Sequence, residues 1–186
     1  MQDKFKNKAI RWVVVGGLLL VMSLTSIGFA AAATNLSDAE KYWLTYIREE
    51  EKLARDVYLF LYDTWKLTIF ANISKSEQTH MDAIKTLLDR YELQDPAAGK
   101  GRGEFTNPDL QDLYDKLTWD GKASVVNALK VGVFIEETDI DDLKNGVAST
   151  KRKDIITVYN NLLQGSLNHL KAFVSNLAKF GVTYEP

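Results

Sequence analysis

Apolar residues recur at intervals of three and four along residues 37–180, which is the spacing of one buried face of a helix. The clearest of these faces lies in the second long segment and consists of Phe70, Ile73, Glu77, His80, Ile84, Leu87 and Tyr91. This region of the sequence has no sustained alternation of apolar and polar residues with hairpin turns, as half-buried strands would have. The pattern therefore predicts an all-α protein.

Four long helices and one short helix follow from this pattern and its start signals. The long helices are predicted over residues 37–65, 70–91, 121–146 and 150–180, and the short helix over residues 108–118. Ser37 and Glu40 form a capping-box pattern, and Asn107 followed by Pro108 is typical of a helix start. A glycine-rich connection, residues 93–109, separates the second and third long helices. No strand precedes its glycines, so a mobile loop is predicted rather than a phosphate-binding site.

Carboxylate and imidazole side chains interrupt the apolar face of every long helix. An ionised side chain on a buried face is costly unless it is paired or bound to a cation. The interrupting residues are Glu51, with Glu50 on a face shifted by one residue, then Glu77 and His80, then Glu136 or its neighbour Glu137, and finally His169. Carboxylates and imidazoles suit iron, manganese or zinc, and the chain has no cysteine to supply a thiolate.

Each of these features alone has a simpler interpretation. A Glu–His pair three residues apart is common on exposed helix faces, and a lone histidine is more often a buried residue with satisfied hydrogen bonds. The run of glutamates at 49–51 is typical of a solvated face, and Glu49 is predicted to point outward. Because ligand-type side chains occur near the middle of all four long helices, the combination predicts a metal site shared between them.

The segments EEEKLARDVY, SEQTHM, IEETDIDDL and NHLKAF resemble motifs of the DUF2202-type ferritin-like proteins, relatives of ferritins and rubrerythrins. The resemblance extends over residues 37–180. It implies a ferritin-like four-helix bundle as one domain, residues 34–186. It also implies that the long connection crosses over, so that the second and third long helices run parallel.

The same resemblance implies a carboxylate-bridged di-iron centre, with manganese or zinc as alternatives. Its ligands, carried over by motif, would be Glu51, Glu77, His80, Glu136 or Glu137, and His169. Many relatives have a glutamate three residues before the last histidine, where this chain has Ser166. Asp139 is predicted to compensate as a flexible extra ligand, and Glu50 is a further candidate. Tyr58 shares a face with Glu51 and is predicted to hydrogen-bond a ligand carboxylate.

The first 33 residues have the pattern of a secretory signal peptide. Four basic residues lie within residues 4–11, residues 12–29 contain no charge, and four alanines follow. A retained membrane anchor through residues 12–29 is the alternative. Either interpretation predicts a secreted, periplasmic or outer-face location.

Charge and location narrow the function. Without residues 1–33 the net charge is about −5, which argues against nucleic acid as a partner. Metal ions and a small oxidant are the expected partners, and a homodimer is compatible with the sequence. We expect an exported di-iron oxidoreductase acting on O₂, peroxide or Fe²⁺. The alternative is a metal-binding or structural bundle without catalysis, whose site is degenerate.

Overall fold

The computed structural model describes residues 35–184, and this part of the chain forms five helices and no strand. The helices are α1 (Asp38–Trp65), α2 (Thr68–Arg90), α3 (Pro108–Gly121), α4 (Val125–Ala148) and α5 (Lys153–Ala178). The all-α prediction is confirmed. The predicted signal peptide or anchor lies outside the described residues. Among the helices of residues 35–184, none has the length and apolar character needed to cross a membrane.

The helix starts follow from capping side chains. Ser37 and Glu40 form the predicted capping box, each side chain bonding the other residue's backbone N–H. The Asn107 side chain accepts a hydrogen bond from the backbone N–H two residues on, at the start of α3. The predicted start of the third long helix at residue 121 is wrong. α3 continues to Gly121, and Ser124 caps α4 by accepting a hydrogen bond at its side chain.

The four long helices pack so that α1 contacts α2 and α4, while α5 contacts α4 and α2. The short turns at residues 66–67 and 149–152 make α1–α2 and α4–α5 antiparallel hairpins. Ser76 in the first half of α2 contacts His169 in the second half of α5, and Arg90 at the end of α2 contacts Asp154 at the start of α5. α2 and α5 are therefore antiparallel as well. It follows that α2 and α4 run in the same direction, joined by a long connection that includes α3.

The buried apolar side chains form two clusters with a polar layer between them. One cluster includes Leu53, Val57, Phe70, Ile73, Leu129, Val133, Phe173 and Leu177. The other includes Leu44, Ile47, Ile84, Leu87, Leu143, Ile155, Tyr159 and Leu162. Each long helix contributes to both clusters, and its carboxylate or imidazole residues lie between the two contributions. The polar residues of four helices consequently meet at one level of the core.

The glycine-rich part of the long connection is held against α1 by a buried ion pair. Lys52 Nζ lies 2.6 Å from the Asp56 carboxylate and donates to the Gly101 carbonyl over 2.7 Å. The Asp56 carboxylate also accepts from the Gly103 N–H over 2.9 Å. The predicted mobile loop is thus tied by hydrogen bonds to two side chains that are 1% and 0% exposed. Sequence reasoning had no signal for these long-range partners.

Glu49, predicted to point outward, is buried beneath the same connection. Its carboxylate accepts hydrogen bonds from the backbone N–H groups of Thr106 and Asn107, just before α3. Arg48 forms a two-point ion pair with Asp95 in the connection, at 2.9 and 3.0 Å. The face of α1 turned away from the polar layer therefore fixes the connection between α2 and α4.

Candidate metal centre

Glu77 lies at the middle of the polar layer, where each of its two carboxylate oxygens meets a different imidazole. Oε2 lies 2.9 Å from Nδ1 of His80, one turn further along α2. Oε1 lies 2.9 Å from Nδ1 of His169, which α5 brings from the opposite side. Glu77 is 2% exposed. A carboxylate that presents one oxygen to each side has the geometry of a bridge between two positions.

The first of these positions is surrounded by Glu51, Glu77 and His80. Nδ1 of His80 lies 3.1 Å from Oε2 of Glu51 on α1, in addition to its contact with Glu77. One ligand-type atom from each of the three residues lies within 4.8 Å of the other two, and all three residues are buried. The spacing predicted from the sequence therefore brings a carboxylate of α1 and the Glu–His pair of α2 to one point.

The second position is surrounded by Glu77, Glu136 and His169. Nδ1 of His169 lies 3.4 Å from Oε2 of Glu136 on α4, and the three ligand-type atoms again lie within 4.8 Å of one another. Glu136 and His169 come from different helices, so this group exists only because α4 and α5 pack together. The two groups share Glu77, and together they draw on all four long helices.

Several atoms of the two groups are buried without a hydrogen-bond partner in the described part of the chain. They are Oε1 of Glu51, Oε1 of Glu77 and Nδ1 of His169. The last two approach each other to 2.9 Å without the alignment of a hydrogen bond. Buried polar atoms normally find partners, so converging atoms that lack them are typical of a set of cation ligands. The donor set of three carboxylates and two imidazoles fits a pair of divalent iron, manganese or zinc ions.

The Nε2 side of each imidazole ring faces a small residue on the neighbouring helix. Nε2 of His169 lies 2.9 Å from the Ser76 hydroxyl on α2. Nε2 of His80 faces Gly165 on α5, where an added Cβ would lie only 2.5 Å away. The two rings lie against each other with centroids 5.5 Å apart. Sequence reasoning missed Gly165, although a glycine inside a helix costs about 1 kcal/mol relative to alanine and so calls for a reason.

Tyr58 contacts the centre through a carboxylate of another helix. Its hydroxyl donates to Oε1 of Glu136 over 2.6 Å, leaving Oε2 of Glu136 to face His169. Tyr58 is fully buried and also packs against Phe173. The hydrogen bond orients Glu136, a candidate ligand carboxylate on α4, and this is the kind of contact predicted for Tyr58 from the sequence.

The remaining candidates lie around the two groups. Ser166 donates to Oδ2 of Asp139 over 2.5 Å, and both side chains are buried. Glu50 is buried on the α4 side of α1, where Asp139 and Asp142 are its neighbouring carboxylates. Neither Glu50 nor Asp139 is a member of the two groups. A hydrogen bond from Ser166 holds one oxygen of Asp139, and the role of Asp139 as a flexible extra ligand stays a prediction.

Glu137, the alternative to Glu136, does not face the polar layer. It is half-buried and accepts a hydrogen bond from the Tyr184 hydroxyl, beyond the end of α5. Consecutive residues of a helix point about 100° apart, so only one of the two glutamates can face the centre. The geometry of α4 selects Glu136.

Burial and mutual contact shift the titration of the whole set. Burial raises the pKa of Glu51 to about 7, and burial with the Glu77 charge raises the pKa of Glu136 to about 8. Burial acts against the charge of Glu77, but the two imidazoles outweigh it and lower the pKa of Glu77 to about 2. The neighbouring carboxylates likewise overcome burial and raise the pKa of His80 to about 11 and of His169 to about 10. Without a cation the centre holds protons, and cation binding would release them.

Comparison with known proteins finds relatives over nearly the whole described chain. A family model described as an uncharacterized protein domain, DUF2202, matches residues 40–186. The uncharacterized protein MJ0754 of Methanocaldococcus jannaschii is 52% identical over 151 residues, which are 81% of this chain and 82% of that protein. The crystal structure of the hypothetical protein MJ0754 superposes with a TM-score of 0.81 at 50% identity, covering 84% of this chain and 90% of that chain. None of these descriptions names a ligand or an activity.

Proposed function

The chain belongs to the DUF2202 family, as its motifs predict, and we propose that it is an exported, ferritin-like di-iron carboxylate protein. In this proposal α1, α2, α4 and α5 form the ferritin-like four-helix bundle, and its polar layer holds the two ions. The observation that supports it best is the bridging geometry of Glu77, which offers one oxygen to each of two groups of buried ligand-type atoms.

The donor set favours redox-active iron over a purely structural ion. Each position has two carboxylates and one imidazole, with no thiolate and with a bridging carboxylate between them. Such oxygen-rich sites suit iron or manganese, whereas closed structural zinc sites usually have four ligands rich in cysteine or histidine. Three protein ligands leave coordination positions free. A bound iron pair would supply one-electron chemistry toward O₂ or peroxide, or would take Fe²⁺ as its substrate.

The protein's own residues orient the ligands and exclude water. His80 and His169 present Nδ1 to the two positions, because Gly165 and Ser76 occupy the space beside Nε2. Tyr58 fixes one oxygen of Glu136. The apolar clusters above and below the layer keep solvent from the carboxylates, which strengthens their interaction with a cation.

The test compares the purified chain with two variants of α2. Wild-type protein from iron-supplemented cells is expected to contain about two iron ions per chain, measured by elemental analysis. Glu77→Gln keeps the shape of the side chain but removes the shared charge, so it should lose both ions. Asp82→Asn makes the same kind of change at an exposed position of the same helix and should keep both. Equal metal content in wild type and Glu77→Gln would refute the centre.

A structural role without metal is the second candidate, because the imidazoles and carboxylates of the centre can partly neutralise one another's charges. Protonated His80 and His169 lie within 3.4 Å of the carboxylates and can pair with them. A structural protein would unfold at the same temperature after chelation as after addition of iron. A di-iron protein would unfold at a clearly lower temperature after chelation. Consumption of peroxide or O₂ by the iron-loaded chain, absent from Glu77→Gln, would then separate catalysis from binding alone.

A further inference from the structure

A fourth buried carboxylate lies beside the two ligand groups without belonging to either. We propose that Asp139 completes the centre, that it is supplied by α4 in place of a carboxylate on α5, and that Ser166 positions it. This inference rests on the proposed function, since it concerns how the same pair of ions is held. It assigns a role to the one position where this chain lacks the expected glutamate.

The two oxygens of Asp139 have different surroundings. Oδ2 accepts a hydrogen bond from the Ser166 hydroxyl over 2.5 Å, and Ser166 itself is 0% exposed. Oδ1 is buried and has no hydrogen-bond partner in the described part of the chain, although Asp139 is only 5% exposed. A carboxylate held at one oxygen and left open at the other in the protein interior is suited to bind a cation through the open oxygen.

Asp139 lies close to the first ligand group as well as to its own helix neighbour. The charged groups that act on it are Glu51, Glu77 and His80, and it acts in turn on Glu136. These residues come from α1, α2 and α4, so the Asp139 carboxylate lies in the same polar layer as the ligands of both positions, one helical turn from Glu136. Asp139 is on the opposite helix pair from Glu77, α4 with α5, where it would supply a fourth carboxylate to the centre.

The register of α4 and α5 explains why an aspartate of α4 can replace a carboxylate of α5. The helices are antiparallel, and Glu136 lies level with His169. One turn further along α4 is Asp139, and one turn back along α5 is Ser166, so these two are also level. Ser166 precedes His169 by three residues, as Glu77 precedes His80. A short serine there leaves space for Asp139 and gives it a hydrogen-bond donor.

The charge of the centre supports the same assignment. Glu51, Glu77 and Glu136 provide three negative charges, whereas two divalent cations bring four positive charges. Asp139 brings the carboxylates of the proposed ligand set to four, and with neutral imidazoles this set and two divalent cations together have no net charge. A buried site with balanced charge avoids the large cost of an uncompensated ion.

Titration of the full-length metal-free chain with Co²⁺ tests the assignment. Wild type is expected to bind two ions. Asp139→Asn should bind one ion tightly, and its affinity for the other ion should be at least about a hundredfold lower than that of wild type. Ser166→Ala leaves the carboxylate but removes its positioning, and should weaken the second ion about tenfold, as loss of a group that orients a ligand does. Asp141→Asn, an exposed carboxylate two residues away on α4, is the matched control and should bind as wild type does.

A swapped variant and a stability measurement make the test specific. Asp139→Ser combined with Ser166→Glu moves the carboxylate to α5 and should regain the second ion, with circular dichroism checking the fold. Metal-free Asp139→Asn should unfold at a higher temperature than metal-free wild type, because a buried carboxyl group repelled by the neighbouring carboxylates has been removed. Addition of Co²⁺ should raise the unfolding temperature of the variant by less than that of wild type. Two ions bound to Asp139→Asn with wild-type affinity, or a folded swap with one ion, would overturn this inference alone. Fewer than two ions on wild type would overturn it together with the di-iron proposal.

Discussion

Replacement of Gly165 by alanine tests the placement of His80 with a single methyl group. The added Cβ would lie 2.5 Å from Nε2 and 2.8 Å from Cε1 of His80. These separations are about 1 Å shorter than ordinary contacts between such atoms. On its other side the ring meets carboxylate oxygens of Glu77 and Glu51 at 2.9 and 3.1 Å. The imidazole therefore moves into the first ion position or rotates away from it.

Two opposing effects determine how much Gly165→Ala changes the free energy of unfolding. Exchange of glycine for alanine inside a helix is worth about 1 kcal/mol in favour of the variant. Overpacking of a well-packed interior costs about 1–3 kcal/mol. The metal-free Gly165→Ala variant should therefore range from unchanged to about 2 kcal/mol less stable. Since His80 belongs to the first group only, affinity for the first ion should fall about 10–100-fold while the second ion is retained.

Urea unfolding in the presence of a chelator and Co²⁺ titration measure the two quantities. Gln164→Ala, at the neighbouring exposed position of α5, is the control for an alanine substitution on this helix and should bind both ions normally. A Gly165→Ala variant that is about 1 kcal/mol more stable and binds both ions as wild type does would refute the contact between His80 and α5.

Three further predictions concern other parts of the molecule. Tyr58→Phe removes the hydrogen bond to Glu136 and should lower the free energy of unfolding in urea by about 2 kcal/mol. It should also lower the affinity for the ion at the second position. If neither the unfolding free energy nor the affinity changes, Tyr58 does not hold Glu136. Asp95→Asn leaves Arg48 without its carboxylate and should cost about 2 kcal/mol at pH 7. Because the pKa of Asp95 is lowered in the folded protein, this stabilisation is present above the unfolded pKa, near 4, and is lost as pH falls through the folded pKa. The unfolding free energies of the variant and of wild type should therefore become equal in acid. A difference that stays constant with pH would contradict the ion pair. Co²⁺ at about 100 times its Kd should stabilise wild type by about 2.7 kcal/mol or more in thermal unfolding, with no such gain in Glu77→Gln.

Helix type and approximate position could be read from the sequence because they depend on local spacing. Apolar residues at intervals of three and four, the capping box at Ser37 and the Asn107–Pro108 start all act within one or two turns. The boundary near residue 121 was misplaced because α3 and α4 are separated by only three residues, and the capping role of Ser124 is visible only once the helices are formed.

The candidate ligands could also be read from the sequence, since a polar residue on an otherwise apolar helix face is a local anomaly. Their pairing could not, because it depends on which helices are neighbours and at what level. Packing of α4 against α5 decides that Glu136 rather than Glu137 faces His169, and that Ser166 holds Asp139. The three consecutive glutamates, which have identical chemistry, diverge in the same way: Glu49 binds the connection, Glu50 faces α4 and Glu51 meets His80. Successive side chains on a helix point about 100° apart, so their partners are chosen by tertiary structure alone.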